Sequence, residues 1–89
     1  MQFRFKYKKS IPLSYDRQGY VYFASRQFRE LPLAEQSRIR TLCREIGREY
    51  ADALFAFVVQ GANATAIETD YFCSKSTLYR LVREYYRRF

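Results

Sequence analysis

The last sixteen residues constrain this chain more tightly than any other stretch. Projected at about 100° per residue, Leu78, Leu81, Val82, Tyr85 and Phe89 fall on one stripe, and Ser76, Tyr79, Arg80, Arg83 and Arg87 fall on the opposite one. A continuous apolar stripe has to pack against other elements, so the segment is expected to be a helix laid on a helical layer. Ser74 is placed to cap it, and the helix runs to about Arg87. The outward stripe offers three guanidinium groups, a phenol and a hydroxyl, with no acid, and Glu84 is expected to point elsewhere. Exposed helix faces usually mix signs, so a face of one sign suits a polyanion better than water alone.

The layer beneath it is expected from the middle of the chain. Pro32 suits a helix start, and Ile39, Leu42, Cys43 and Ile46 recur at helical spacing behind it. Gly47 interrupts, after which Tyr50, Ala53, Leu54, Phe57 and Val58 resume the period. Two helices, or one kinked helix, satisfy this pattern. Phe55 and Val59 lie off the main stripe, which makes the second stretch the expected central and most buried helix. Gly61 is expected to close it, and Asn63 to cap a short helix over residues 64–72.

The amino-terminal third reads differently. Phe3, Phe5 and Tyr7 alternate with Arg4, Lys6 and Lys8, a period of two that predicts a half-buried strand or an extended basic arm. Ile11–Tyr15 and Tyr20–Phe23 flank Asp16-Arg17-Gln18-Gly19, which suits a type I turn, so a short β-hairpin is expected there. Its aromatics Tyr15, Tyr20, Tyr22 and Phe23 would cover part of the core. Ser25 is expected to cap a short helix through Leu31, ended by Pro32. The expected fold is therefore mostly α, with a short N-terminal β-hairpin followed by a helical domain. Residues 1–31 supply arm, hairpin and short helix, and residues 32–89 the helical domain, as one compact unit.

Charge narrows the function. The net charge is +7, but residues 1–31 carry seven Lys/Arg against two acids, residues 32–70 four against six, and residues 71–89 five against one. Basic ends flanking a mildly acidic middle make a patch pattern, and patches attract phosphates. The chain has no histidine and only two cysteines, Cys43 and Cys73, far apart and each in an apolar surround. They read as buried thiols of a reducing compartment. No zinc set, phosphate loop or nucleophile motif is recognisable, so neither an enzyme, a metal nor a cofactor is expected. No apolar run reaches membrane-span length and the basic start has no signal-peptide character, so the cytoplasm is the expected location.

The segment around residue 74 resembles a helix-turn-helix. Ala66–Ile67 followed by Cys73-Ser74-Lys75-Ser76-Thr77-Leu78 is similar to the turn and recognition-helix start in the stage III sporulation protein D family, sigma factors and resolvases. The resemblance implies that Cys73, Leu78 and Leu81 are buried and that Ser74, Lys75, Ser76, Thr77, Tyr79 and Arg80 face DNA. Glu68 stands where the motif usually has Ala, and Phe72 where it usually has Gly. A bulky residue there disfavours the left-handed backbone of the tight turn. The expectation is a longer turn or a first helix that runs further.

A longer resemblance covers nearly the whole chain. Ile-Pro-Leu-Ser-Tyr-Asp-Arg-Gln-Gly-Tyr (11–20), Leu42–Cys43, Glu49–Tyr50, Ala53-Leu54-Phe55, Ser76-Thr-Leu-Tyr-Arg (76–80) and Tyr85–Tyr86 resemble small helix-turn-helix proteins of conjugative transposons in Gram-positive bacteria. That likeness implies maintenance, transfer or excision control of a mobile element as context.

These readings converge on double-stranded DNA binding, as a transcriptional regulator or an accessory factor. Arg80, Tyr79, Ser76 and Arg83 are expected to read base edges, while Lys75, Arg87 and Arg88 hold phosphates. Arg4, Lys6, Lys8 and Lys9 form either a DNA-contacting arm or a basic edge strand. An alternative is a protein-interaction adaptor docking on a recombinase, relaxase or RNA polymerase subunit. A minor reading is single-strand binding by Phe3, Phe5 and Tyr7. Tyr86, Arg88 and Phe89 leave packing, fraying and a homodimer contact all open.

Overall fold

A computed structural model describes residues 5–89. Five α-helices follow one another: α1 (Tyr15–Arg26), α2 (Leu33–Gly47), α3 (Ala51–Val58), α4 (Ala64–Tyr71) and α5 (Lys75–Arg88). Single 3-10 turns, Phe28–Glu30 and Arg48–Tyr50, precede α2 and α3. Among the described residues there is no strand, and no helix is long and apolar enough to cross a membrane.

The expected hairpin is therefore replaced by α1, and the reason is local capping joined to a polar core contact. The Ser14 side chain accepts a hydrogen bond from the Arg17 amide at 3.2 Å, and Asp16 sits in the first turn, where the helix dipole favours an anion. The buried face of α1 is Gln18, Val21 and Ser25, at helical spacing but two-thirds polar. Gln18 is satisfied by the segment before the helix. Its Oε1 accepts from the Lys8 amide at 2.9 Å, and its Nε2 lies within 2.9–3.2 Å of the Lys8, Ile11 and Leu13 carbonyls. One side chain thus closes the hydrogen bonds of a stretch that has no ladder of its own. Tyr15, Tyr20 and Phe23, expected to cover the core, are exposed instead. Phe5 packs against Tyr15 and Tyr22 at ring separations of 5.2 and 5.6 Å, and Tyr20 meets Phe89 edge-on at 5.8 Å.

Ser25 is likewise not a cap. It lies buried within α1, with its hydroxyl 2.7 Å from the Tyr85 hydroxyl of α5. Where a short helix through Leu31 was expected, α1 ends at Arg26 and only the 3-10 turn follows. Leu31 is extended, as the residue before a proline tends to be.

From Pro32 onward the elements agree with their sequence pattern. α2 buries Ile39, Leu42 and Cys43 against α3 and α5. Arg48 reverses the backbone after Gly47, so α2 and α3 are two helices and not one kinked rod. No residue from Ala53 to Val59 is exposed, and α3 touches α1, α2, α4 and α5. It is the central helix. Gly61, at φ 77°, takes the left-handed position after it, and the Ala62 amide returns to the Ala56 carbonyl at 3.1 Å. The bond reaches back six positions across the turn, and glycine takes the left-handed conformation that permits it without a Cβ penalty. Ile11, Val21 and Phe28 join the same core as Leu54, Ile67 and Leu78, so the described residues before Pro32 pack into the helical unit.

Candidate nucleic-acid interface

The candidate surface is assembled by α4, a three-residue turn and α5. Asn63 caps α4, its Oδ1 accepting from the Ala66 amide at 2.8 Å. Ile67 is the buried anchor of α4. Phe72 then enters the left-handed region at φ 54°, ψ 36°. The expected longer turn is corrected here: Phe72 adopts the conformation the motif usually assigns to glycine, and the turn stays short. Its ring points to solvent with 87% of its surface exposed, so the backbone cost is local and no clash forces the helices apart. Cys73 is fully buried behind it. Burial pushes its thiol above the ordinary range, and the nearby Arg80 charge works against that rise.

Ser74 caps α5. Its Oγ accepts from the Thr77 amide at 3.3 Å and lies 3.0 Å from Thr77 Oγ1. Both hydroxyls, expected at DNA, are therefore engaged in the cap, though Ser74 remains exposed and Thr77 half-buried. Leu78, Leu81, Val82, Tyr85 and Tyr86 are buried on the inner face. Lys75, Ser76, Tyr79, Arg80, Arg83, Arg87 and Arg88 are all exposed on the outer side. The Tyr79 ring stands edge-on to Phe57 of α3 at 6.3 Å, which fixes its direction while leaving the phenol accessible.

The arginines divide into two groups. Arg87 pairs with Glu84 at 3.4 Å, and Arg88 pairs with Glu45 of α2 at 2.9 Å. Glu84 thus lies beside the basic stripe, contrary to the expectation that it points elsewhere. Among the described residues no ion pair involves Lys75, Arg80 or Arg83. These cations stand at the start and middle of the helix.

The basic residues of the arm are less well gathered. Lys6 and Lys9 are exposed, Lys8 is half-buried with its backbone held by Gln18, and Arg4 lies outside the described residues. Phe5, a candidate for base stacking, is packed against α1, and Phe3 lies outside the described residues. The chain end packs: the Arg38 guanidinium lies 4.5 Å from the centre of the Phe89 ring and donates to its carbonyl at 2.8 Å.

One basic residue at this surface had no sequence signal. Arg48 lines a groove of about 510 Å³ between α2 and α5, together with Arg80, Arg83 and Arg87. It belongs to the acidic middle of the chain, and the approach of α2 to α5 brings it beside the outer face of α5. Pro12, three residues beyond Lys9, lines the same groove. No family model, curated protein or solved structure matches the chain.

Proposed function

We propose that the protein binds double-stranded DNA by setting α5 in the major groove, acting as a regulator or accessory factor of a mobile element. The observation that carries this reading is the pair of arginines, Arg80 and Arg83, exposed at mid-helix with no ion pair among the described residues. A guanidinium fork pairs bidentately with guanine O6 and N7. Ser76 and Tyr79 lie on the same face and reach base edges or phosphates, and Lys75 at the helix start reaches the backbone. Arg87 and Arg88 serve as phosphate contacts through the guanidinium N–H groups that their pairing with Glu84 and Glu45 leaves free. The mobile-element context rests on the whole-chain resemblance to conjugative-transposon proteins. Such a target places the protein in the cytoplasm with the DNA.

Selection from randomised duplexes at two salt concentrations supplies the target, and a two-fold symmetric site identifies a dimer. On that target Arg80→Ala is expected to cost about 1–3 kcal/mol at one base position and to relax preference there. Unchanged affinity and preference in both Arg80→Ala and Arg83→Ala would show that the wrong face has been assigned. The exposed Phe72 ring favours a second reading, an adaptor docking on a recombinase, relaxase or polymerase subunit. A complex with such a subunit that survives nuclease, with no duplex binding at about 50 mM salt, supports the adaptor instead.

A further inference from the structure

The turn between α2 and α3 holds an arginine where the backbone calls for glycine. Arg48 has φ 51° and ψ −115°, a region in which a Cβ crowds the flanking peptide. The glycine of this turn, Gly47, stands one position earlier in ordinary right-handed geometry at φ −79°, ψ −31°. The chain thus carries a strained residue beside an unstrained glycine. Such strain persists where the surroundings enforce it, and it concentrates at functional sites.

No polar contact among the described residues holds the arginine side chain. Among the described residues it makes no ion pair, and its guanidinium has no hydrogen bond. It is exposed and lines the groove that Arg80 and Arg83 border from α5. The two carboxylates of that groove, Glu45 and Glu84, are engaged with Arg88 and Arg87. Three guanidinium groups are left around one open groove without a matching carboxylate. Gathered like charges repel unless an anion lies among them, and phosphate oxygens fit the planar guanidinium fork.

We infer that Arg48 is a phosphate contact, and that this groove seats the phosphodiester backbone of the strand flanking the major groove that α5 enters. The inference rests on the duplex-binding reading above and extends the interface from α5 to the α2–α3 turn. Arg48 fixes the register of the domain on the backbone and reads no base. Glycine would relax the turn but remove the contact, so folding and binding place opposite demands on this position.

Those opposite demands make the test. Binding to the selected duplex is followed by fluorescence anisotropy across a salt series, and melting is followed by circular dichroism. Arg48→Gly is expected to melt at the same or a higher temperature, yet bind roughly five- to tenfold more weakly. Its plot of log affinity against log salt becomes shallower by about one. Arg48→Lys retains most of that slope. Arg29→Ala removes an equal charge from the separate groove beside the Phe28–Glu30 turn and leaves the slope unchanged. Wild-type binding with an unaltered slope in Arg48→Gly overturns the inference and spares the reading beneath it. Equal losses in Arg48→Gly and Arg29→Ala overturn it too, since net charge alone then accounts for binding. A lower melting temperature in Arg48→Gly makes Arg48 a structural residue and has the same result. A thermal shift by inorganic phosphate at matched ionic strength, lost in Arg48→Gly, assigns the groove to free phosphate instead. Absence of duplex binding by the unaltered protein removes both the reading and the inference.

Discussion

Phe72 shows how a single residue meets a demand that the chain around it imposes. The α4–α5 turn needs a left-handed residue, and an L-side chain there costs about 1–2 kcal/mol relative to the right-handed region. With 87% of its surface in solvent, the ring recovers little of this by burial. Glycine would remove the strain but widen the unfolded ensemble, which offsets about 0.4–1 kcal/mol of the gain. Phe72→Gly is therefore expected to stabilise by roughly 0.5–1 kcal/mol, a rise of about 2–8 °C in melting temperature for a domain of this size. Circular dichroism melts check it. A lower melting temperature would show that the ring contributes packing that its exposure conceals. Because the turn keeps its length with Phe72 in place, the substitution is expected to leave the direction of α5 unchanged.

At the scale of elements, a buried polar contact ties α1 to α5. The Ser25 and Tyr85 hydroxyls are 2.7 Å apart in the core, and both side chains are essentially inaccessible. Tyr85→Phe strands the serine hydroxyl, and Ser25→Ala strands the phenol, each at about 1–3 kcal/mol. The double variant strands neither, so its cost is expected to fall below the sum of the two single ones. Urea unfolding of the four proteins measures the difference. Strictly additive costs would mean that the two hydroxyls act independently and that α1 is held by its apolar contacts alone. This contact also explains why α1 was hidden. Hydrophobic periodicity registers apolar positions, and Gln18 and Ser25 occupy two of the three buried positions on that helix. The tyrosines on its outer side instead mimicked the alternation of a strand.

At the scale of the whole molecule, four weakly acidic groups lie in the core, Cys43, Cys73, Tyr85 and Tyr86, and they set its response to alkali. Burial pushes the Cys43 thiol up to about 12 and the Tyr86 phenol to about 12, and it raises Tyr85 and Cys73 as well. The folded protein keeps these groups protonated where the unfolded chain releases protons, near 9.0 for the thiols and 10.0 for the phenols. Unfolding then releases protons, so stability falls as pH rises. The full contribution is present below about pH 9 and is lost progressively between about 9 and 12. Denaturant midpoints measured across that interval are expected to decline, whereas a flat profile would contradict the burial of these groups. The same burial predicts that thiol reagents at about pH 8 modify Cys43 and Cys73 only as fast as the chain opens.

The sequence by itself determined the helical segments from Pro32 onward, though not the break at Arg48, together with the caps at Asn63 and Ser74, the stop at Gly61 and the two faces of α5. Those features depend on spacing and on side chains that bond to their own backbone neighbours, and both are local. The tertiary structure decided what depended on distant partners. Gln18 found the backbone of residues 8–13, and Ser25 found Tyr85 sixty positions away. Glu45 took up Arg88, and Arg48 reached the groove beside Arg80 and Arg83. The short turn belongs with these, because packing of α4 and α5 holds Phe72 in a conformation that its own preference disfavours. Local spacing supplied the arginines of α5 and the Arg87–Glu84 pair three residues apart, whereas packing brought Glu45 of α2 to Arg88.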